Sequence, residues 1–194
     1  MIIQATPYGT KKEEPFAFTY SGDFTDERVD GIGDVTLNTS GQLVTSGKTV
    51  TVRVYILGAG GGAARWPSRQ KASAGGGGGI QTVEVELAPG TYDIVIGTGG
   101  NAINKTEGGA GTFSASQGGT TTAFGRTSTG GKGGTISNLI ADCSGGLGGS
   151  PNGNAGNYNA YNSSAANGGA PNGGSVINSV AYSGGDGLVR ITFS

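Results

Sequence analysis

Residues 50–63 read VTVRVYILGAGGGA, and the fold turns on how they are understood. Val50, Val52, Val54 and Ile56 alternate with Thr51, Arg53, Tyr55 and Leu57, the period of two that marks a half-buried β-strand. The glycines that follow imitate a dinucleotide fingerprint, Gly-x-Gly-x-x-Ala after a strand, with Glu84 near where a ribose-binding acid would stand. That fingerprint works only where a helix opens at the glycines and turns its N-terminus to the pyrophosphate. Pro67 would fall inside such a helix, and the glycines at 75–79 would end it. The strand therefore runs into a glycine tract, not into a nucleotide-binding helix.

The same alternation recurs along the chain. Val83, Val85 and Leu87 alternate with Thr82, Glu84 and Glu86; Tyr92, Ile94 and Ile96 follow Pro89-Gly90; Val189, Ile191 and Phe193 alternate with Arg190 and Thr192. Pro89-Gly90 suits the centre of a type II turn, which predicts an antiparallel hairpin over 80–96. Weaker strand candidates are 16–20, 35–37, 43–45, 120–124 and 135–140, and no stretch shows a 3.6-residue apolar period. The expectation is an all-β protein, an antiparallel β-sandwich of roughly eight strands with almost no α-helix.

Glycine supplies the second half of the reading. The chain has 42 glycines among 194 residues, against a usual ~7%, and 36 of them lie beyond residue 57. Gly-Gly-x-Gly-Gly occurs at 130–134 and 145–149, with a looser version at 168–174. Three residues per turn is the polyproline-II period; such a helix has no internal hydrogen bonds, so glycine helices can approach and bond side by side. Ordering 36 glycines costs roughly 20–35 kcal/mol more than ordering alanines, which exceeds a net stability of ~5–15 kcal/mol. Either the tracts form a flexible linker, or dense mutual hydrogen bonding offsets the cost. The expectation is an ordered glycine-rich polyproline/polyglycine-II helix bundle, mainly over 108–187, joined to the sandwich in one domain spanning 16–194. No charged residue occurs between Cys143 and Gly185, which fits a lattice that would solvate an ion poorly. Residues 1–15, with Tyr8, Lys11 and Lys12, read as an extended polar N-terminal arm.

Composition also excludes chemistry. A net charge of -1 and a pI near 5.3 argue against nucleic-acid or anionic-membrane binding by the chain as a whole. There is no histidine, which removes Ser-His-Asp and Cys-His catalysis and nearly every zinc site. Cys143 is the only cysteine, so no internal disulfide forms, and no cation stands beside it in sequence. GRTSTGGK at 125–132 is one residue too long for a phosphate-binding loop, and Gly133 stands where Ser or Thr is needed. Gly184-Gly185-Asp186-Gly187 occurs once with one carboxylate, too little for calcium, and reads as a turn. Glu84 and Glu86 share the polar face of one strand. No catalytic residue, metal or cofactor is expected. Met1 to Pro7 has neither the basic nor the apolar region of a signal peptide, and no 20-residue apolar span is present.

Taken whole, 16–194 resembles the glycine-rich domain common in phage tail proteins of gut bacteria. The resemblance rests on an ordered succession. Phe18-Thr19-Tyr20-Ser21-Gly22-Asp23-Phe24 opens it, and the strand into Gly58–Gly62 follows. Next come the glycines at 75–79, then Tyr92-Asp93-Ile94-Val95-Ile96-Gly97-Thr98-Gly99-Gly100. Gly119-Thr120-Thr121-Thr122-Ala123-Phe124-Gly125 and Gly184-Gly185-Asp186-Gly187-Leu188-Val189-Arg190-Ile191 close it. The tracts are also similar to those of glycine-rich adhesins at long tail-fibre tips and of the anaplastic lymphoma kinase receptor. These relatives imply a β-sandwich joined to polyglycine-II helices, with binding at exposed loops. This chain departs from the adhesins in its alternating β portion and in having fewer aromatics in its loops.

The function expected is therefore a non-enzymatic bacteriophage virion protein, a tail-fibre or tail-tip module that binds a bacterial surface glycan or protein. It would be made in the host cytoplasm and carried on the virion. Two segments stand out as receptor-binding candidates: Arg65, Trp66 and Arg69, and the run with Tyr158, Asn159, Tyr161 and Asn162. Aromatic rings stack on sugar C–H faces and asparagine amides bond hydroxyls; equally, these aromatics could cap the glycine bundle. The alternative is a capsid decoration, head-fibre or baseplate protein that binds no receptor. Its arm, through Tyr8, Lys11 and Lys12, would contact other virion proteins or another copy in a homo-oligomer.

Overall fold

The alternating segments pair into two four-stranded antiparallel sheets. Their strands are β1 (Ala17–Tyr20), β2 (Phe24–Glu27), β3 (Gly33–Leu37), β4 (Gly41–Ser46), β5 (Val50–Leu57), β8 (Ile80–Leu87), β9 (Gly90–Ile94) and β18 (Leu188–Phe193). One sheet has the order β2-β1-β4-β9 and the other β3-β18-β5-β8. The computed structural model describes residues 15–22, 24–27, 33–106, 109–139, 142–159 and 165–193. Tyr8, Lys11 and Lys12 of the expected arm, with Tyr161 and Asn162, lie outside the described residues.

The period of two explains the core. Val52, Val54 and Ile56 of β5 point inward with Val189 and Ile191 of β18 and Leu37 of β3. They meet Phe18, Tyr20, Leu43 and Ile94 of the other sheet. Phe193 stacks on Phe18 across the gap, with ring centroids 5.7 Å apart and an interplanar angle of 8°. Each such side chain contributes roughly 1.5–3 kcal/mol on burial.

The expected hairpin over 80–96 is overturned. β8 pairs with β5 and β9 pairs with β4, so the two strands lie in different sheets. Ala88 and Pro89 form a corner that carries the chain from one sheet to the other. The Thr45 hydroxyl pins this corner by donating to the carbonyl of Ala88 at 2.6 Å. Gly90 does not take the positive φ that a type II turn requires. Both layouts put Val83, Val85 and Ile94 against one core, so alternation alone does not separate hairpin from corner. A Cβ at Gly90 would meet only the Ala88 carbonyl oxygen, at 3.9 Å. Gly90→Ala is therefore expected to leave the free energy of unfolding in urea unchanged or to raise it by up to about 1 kcal/mol. A loss of 2 kcal/mol or more (roughly what a conformation incompatible with alanine costs) would restore the tight turn.

The glycine-rich half holds shorter strands: β6 (Ala64–Trp66), β7 (Lys71–Ser73), β10 (Ile103–Asn104), β11 (Thr112–Ser114), β12 (Thr121–Ala123), β13 (Arg126–Ser128), β14 (Thr135–Ser137), β15 (Tyr158–Asn159), β16 (Val176–Ile177) and β17 (Val180–Ala181). Residues 58–63, which follow β5, have no ladder partner strand. Instead, successive N–H groups turn to different neighbours and return every third residue. Gly58 and Gly61 donate to Gly79 and Gly76, Ala59 and Gly62 to Gly119 and Ser116, and Gly60 and Ala63 to Gly185 and Tyr182. The carbonyls do the same: Gly131 and Gly134 donate to Ala59 and Gly62, and Gly100 and Ile103 to Gly60 and Ala63. A period of three is that of a polyproline-II-type helix, whose bonds all go outward.

Residues 74–79 repeat the pattern. Ala74 and Gly77 donate to Asn157 and Asn154, and Gly76 and Gly79 to Lys132 and Thr129. Gly146 and Gly149 donate to the carbonyls of Ala74 and Gly77. The two tracts that are bonded on all sides thus lie at 58–63 and 74–79, outside the 108–187 span to which the sequence assigned most of the bundle. A Cβ on Gly61 would sit well inside 3.0 Å of the Lys132 carbonyl oxygen, and one on Gly76 equally close to that of Leu147. Close approach, more than turn geometry, is what demands glycine here.

Candidate functional site

Over 61–73 the chain runs from tract to β6, through a three-residue 3-10 turn at Pro67–Arg69, to β7. No helix opens at the glycines, and the N–H groups of Gly58 to Gly62 are committed to carbonyls of other tracts. The dinucleotide-like motif therefore has no pyrophosphate site. The Asp186 carboxylate of the calcium-like motif accepts the N–H of Gly99 at 2.6 Å. Among the described residues no three Cys, Asp or Glu side chains converge, and no helix is long and apolar enough to cross a membrane.

The sequence nominated two separate segments, and the fold brings their described parts into one sheet. Its order is β10-β6-β7-β15. Arg65 of β6 and Asn159 of β15 both lie opposite Ala72 of β7, one on each side, so they share a row and a face. Trp66 lies opposite Lys71, and Tyr158 opposite Ser73, on the other face. Arg65, Tyr158 and Asn159 are each half-buried.

Trp66 requires a correction. Its ring is 0% exposed, so it offers no face on which a sugar could stack. Alternation along β6 turns Ala64 and Trp66 inward, into a cluster with Ala115 and Ile136. Phe113 of β11 meets the indole edge-on, with centroids 5.4 Å apart at 89°. Trp66 is thus a packing anchor for the glycine-rich half, and the exposed chemistry comes from its neighbours.

Those neighbours are cations. The turn at Pro67–Arg69 swings the exposed Arg69 back so that its guanidinium lies 5.6 Å from the Trp66 ring centre. Lys105, just past β10, places its ammonium 4.8 Å from the ring centre of Phe113. Lys105 is held there because its N–H donates to the Arg65 carbonyl at 2.8 Å, extending the sheet. Lys71 is 4% exposed, and its ammonium donates to the carbonyl of Ser137. The Cys143 thiol reaches the same carbonyl at 3.4 Å, so a cation does stand near this cysteine in space.

Lys105 and Phe113 escaped the sequence reading because nothing local marks them; pairing of β10 with β6 carries Lys105 to this end, and packing of β11 carries Phe113 onto Trp66. Asn172 escaped it too. Its side chain accepts the N–H of Gly78 at 2.9 Å and donates to the carbonyls of Gly58, Gly185 and Asp186, standing in for a stretch of backbone in the glycine lattice. An asparagine next to paired glycines was the available signal.

Where β8 and β9 meet the turn after β12, a groove of about 540 Å³ opens, lined by Val85, Glu86, Tyr92, Asp93, Phe124 and Gly125. The acids of β8 and β9 belong to the sandwich, and six of the nine cations among the described residues to the glycine-rich half. No family model matches the chain, and no curated protein matches it by sequence.

Proposed function

We propose that this chain is a non-enzymatic bacteriophage virion module that contacts a bacterial surface glycan or protein through the face built on β10, β6, β7 and β15. The observation that carries the reading is that Arg69 and Lys105 come to the Trp66 side of one small sheet, with Arg65 and Asn159 on its opposite face. That sheet grows directly out of tracts 58–63 and 74–79, whose backbone groups are bonded on all sides. A scaffold whose rigidity comes from backbone bonding presents short segments without a thick apolar core beneath them, and binding residues are concentrated on such segments. The experiment is binding of the purified, fluorescently labelled protein to a panel of intact bacterial cells, to their envelope glycans and to capsid shells. Saturable binding to cells, competed by envelope glycan or by protease treatment of the cells, is expected. Saturable binding to capsid shells alone would overturn the reading in favour of a decoration protein.

A further inference from the structure

We propose that Arg69 and Lys105 form an anion-binding pair, and that the ligand of this face is an acidic glycan whose carboxylate or phosphate they hold. The inference rests on the receptor-binding reading above and names the ligand chemistry. A neutral-sugar site needs an open aromatic face. Here Trp66 is fully buried, and cations lie over the rings of both Trp66 and Phe113. Among the described residues, what lies over these rings is the positive charge of Arg69 and Lys105.

Two features make the pair suited to an anion. First, among the described residues neither Arg69 nor Lys105 forms an ion pair, and the Lys71 ammonium nearby has a carbonyl as its partner, not a carboxylate. Second, both are held in place. A cation over a ring face is attracted by the ring's quadrupole without losing its charge. Holding these long side chains reduces the rotamer freedom that a ligand would otherwise have to freeze. The Trp66–Phe113 edge-on contact joins the two rings, so both cations contact one aromatic unit. Arg69 gives one donor to the Gly109 carbonyl at 3.4 Å, which leaves the rest of its planar fork for a carboxylate or phosphate. Lys105 supplies a second, adaptable point charge.

The test uses the whole chain and three polymers of matched length: polygalacturonate, phosphorylated mannan and neutral dextran. Variants are Arg69→Gln and Lys105→Gln, with Lys48→Gln, an exposed site on the sandwich, as control. Melting temperatures establish that each variant folds. Binding to one or both acidic polymers and not to dextran is expected. Each of the two site variants should weaken binding about tenfold, the effect of losing one charge-assisted bond, with Lys48→Gln unchanged. The polymer that binds tells carboxylate from phosphate. Equal binding to dextran, insensitive to both variants, would overturn the anion pair and leave a neutral-glycan surface. Equal binding to phosphatidylglycerol vesicles or to duplex DNA would overturn it as charge attraction without glycan selectivity. Cell binding that survives both substitutions sinks the pair alone, and absence of cell binding sinks the receptor reading with it.

Discussion

Gly76→Ala is expected to lower the stability of the whole protein by roughly 3–6 kcal/mol, although it adds a single methyl group. Its Cβ would lie well inside 3.0 Å of the Leu147 carbonyl oxygen and 2.8 Å from that of Gly146. Those oxygens belong to backbone, which cannot rotate away as a side chain could. Relief requires the tracts to part. Parting strains the bonds from Gly76 N–H to Lys132, at 2.8 Å, and from Gly61 N–H to Gly76, at 2.9 Å. Each buried group left unpaired costs about 1–3 kcal/mol, and the overpacking itself about as much again. Against a net stability of ~5–15 kcal/mol the loss is large. Gly148→Val, on a less enclosed tract, has the same clash with the Gly153 carbonyl and should cost less, because its neighbours can yield toward solvent. Differential scanning calorimetry and amide exchange decide the matter. An unchanged melting temperature in Gly76→Ala, with fast exchange across 58–63 and 74–79, would show that the tracts are a linker.

Trp66→Ala should cost about 3–5 kcal/mol, the range for emptying a buried tryptophan site. The indole is fully buried, and its loss would leave Phe113, Ala115 and Ile136 facing a cavity. Arg69 would also lose the ring that holds it. Trp66→Phe keeps a ring in the site and should recover part of the loss. Because Trp66 is the only tryptophan, its fluorescence reports the same site: emission in the folded protein should be blue-shifted and insensitive to acrylamide. The packing role fails if Trp66→Ala melts with the wild type yet loses glycan binding.

The strands were legible because their signal is local. Alternation at 50–57, 82–87 and 188–193 is set by which face of each strand is apolar, and the sandwich follows from burying those faces together. Residues 80–96 show where that legibility stops. The segments before and after Pro89-Gly90 both carry apolar faces, and a hairpin and an inter-sheet corner satisfy the pattern equally. The Thr45 hydroxyl, from a strand distant in sequence, holds the corner that the fold adopts. Trp66 shows the same limit in the candidate site. A lone aromatic among cations reads equally as a ligand platform or as an anchor, and its burial under Phe113 depends on β11, which pairs with β14 and not with β6.

By itself the sequence determined the all-β class, the positions of most sandwich strands, the absence of histidine chemistry and the places where backbones must pass within glycine distance of one another. Each of these is a property of residue type and spacing. The tertiary structure alone decided which tracts lie at the centre and which strands share a sheet. It also decided which side chains meet at β6, where Arg69 and Lys105 are brought to one aromatic unit by segments that share no local pattern. The reason is physical. A glycine tract has no side chains to record its neighbours, so its partners are chosen by backbone hydrogen bonds formed across the whole chain.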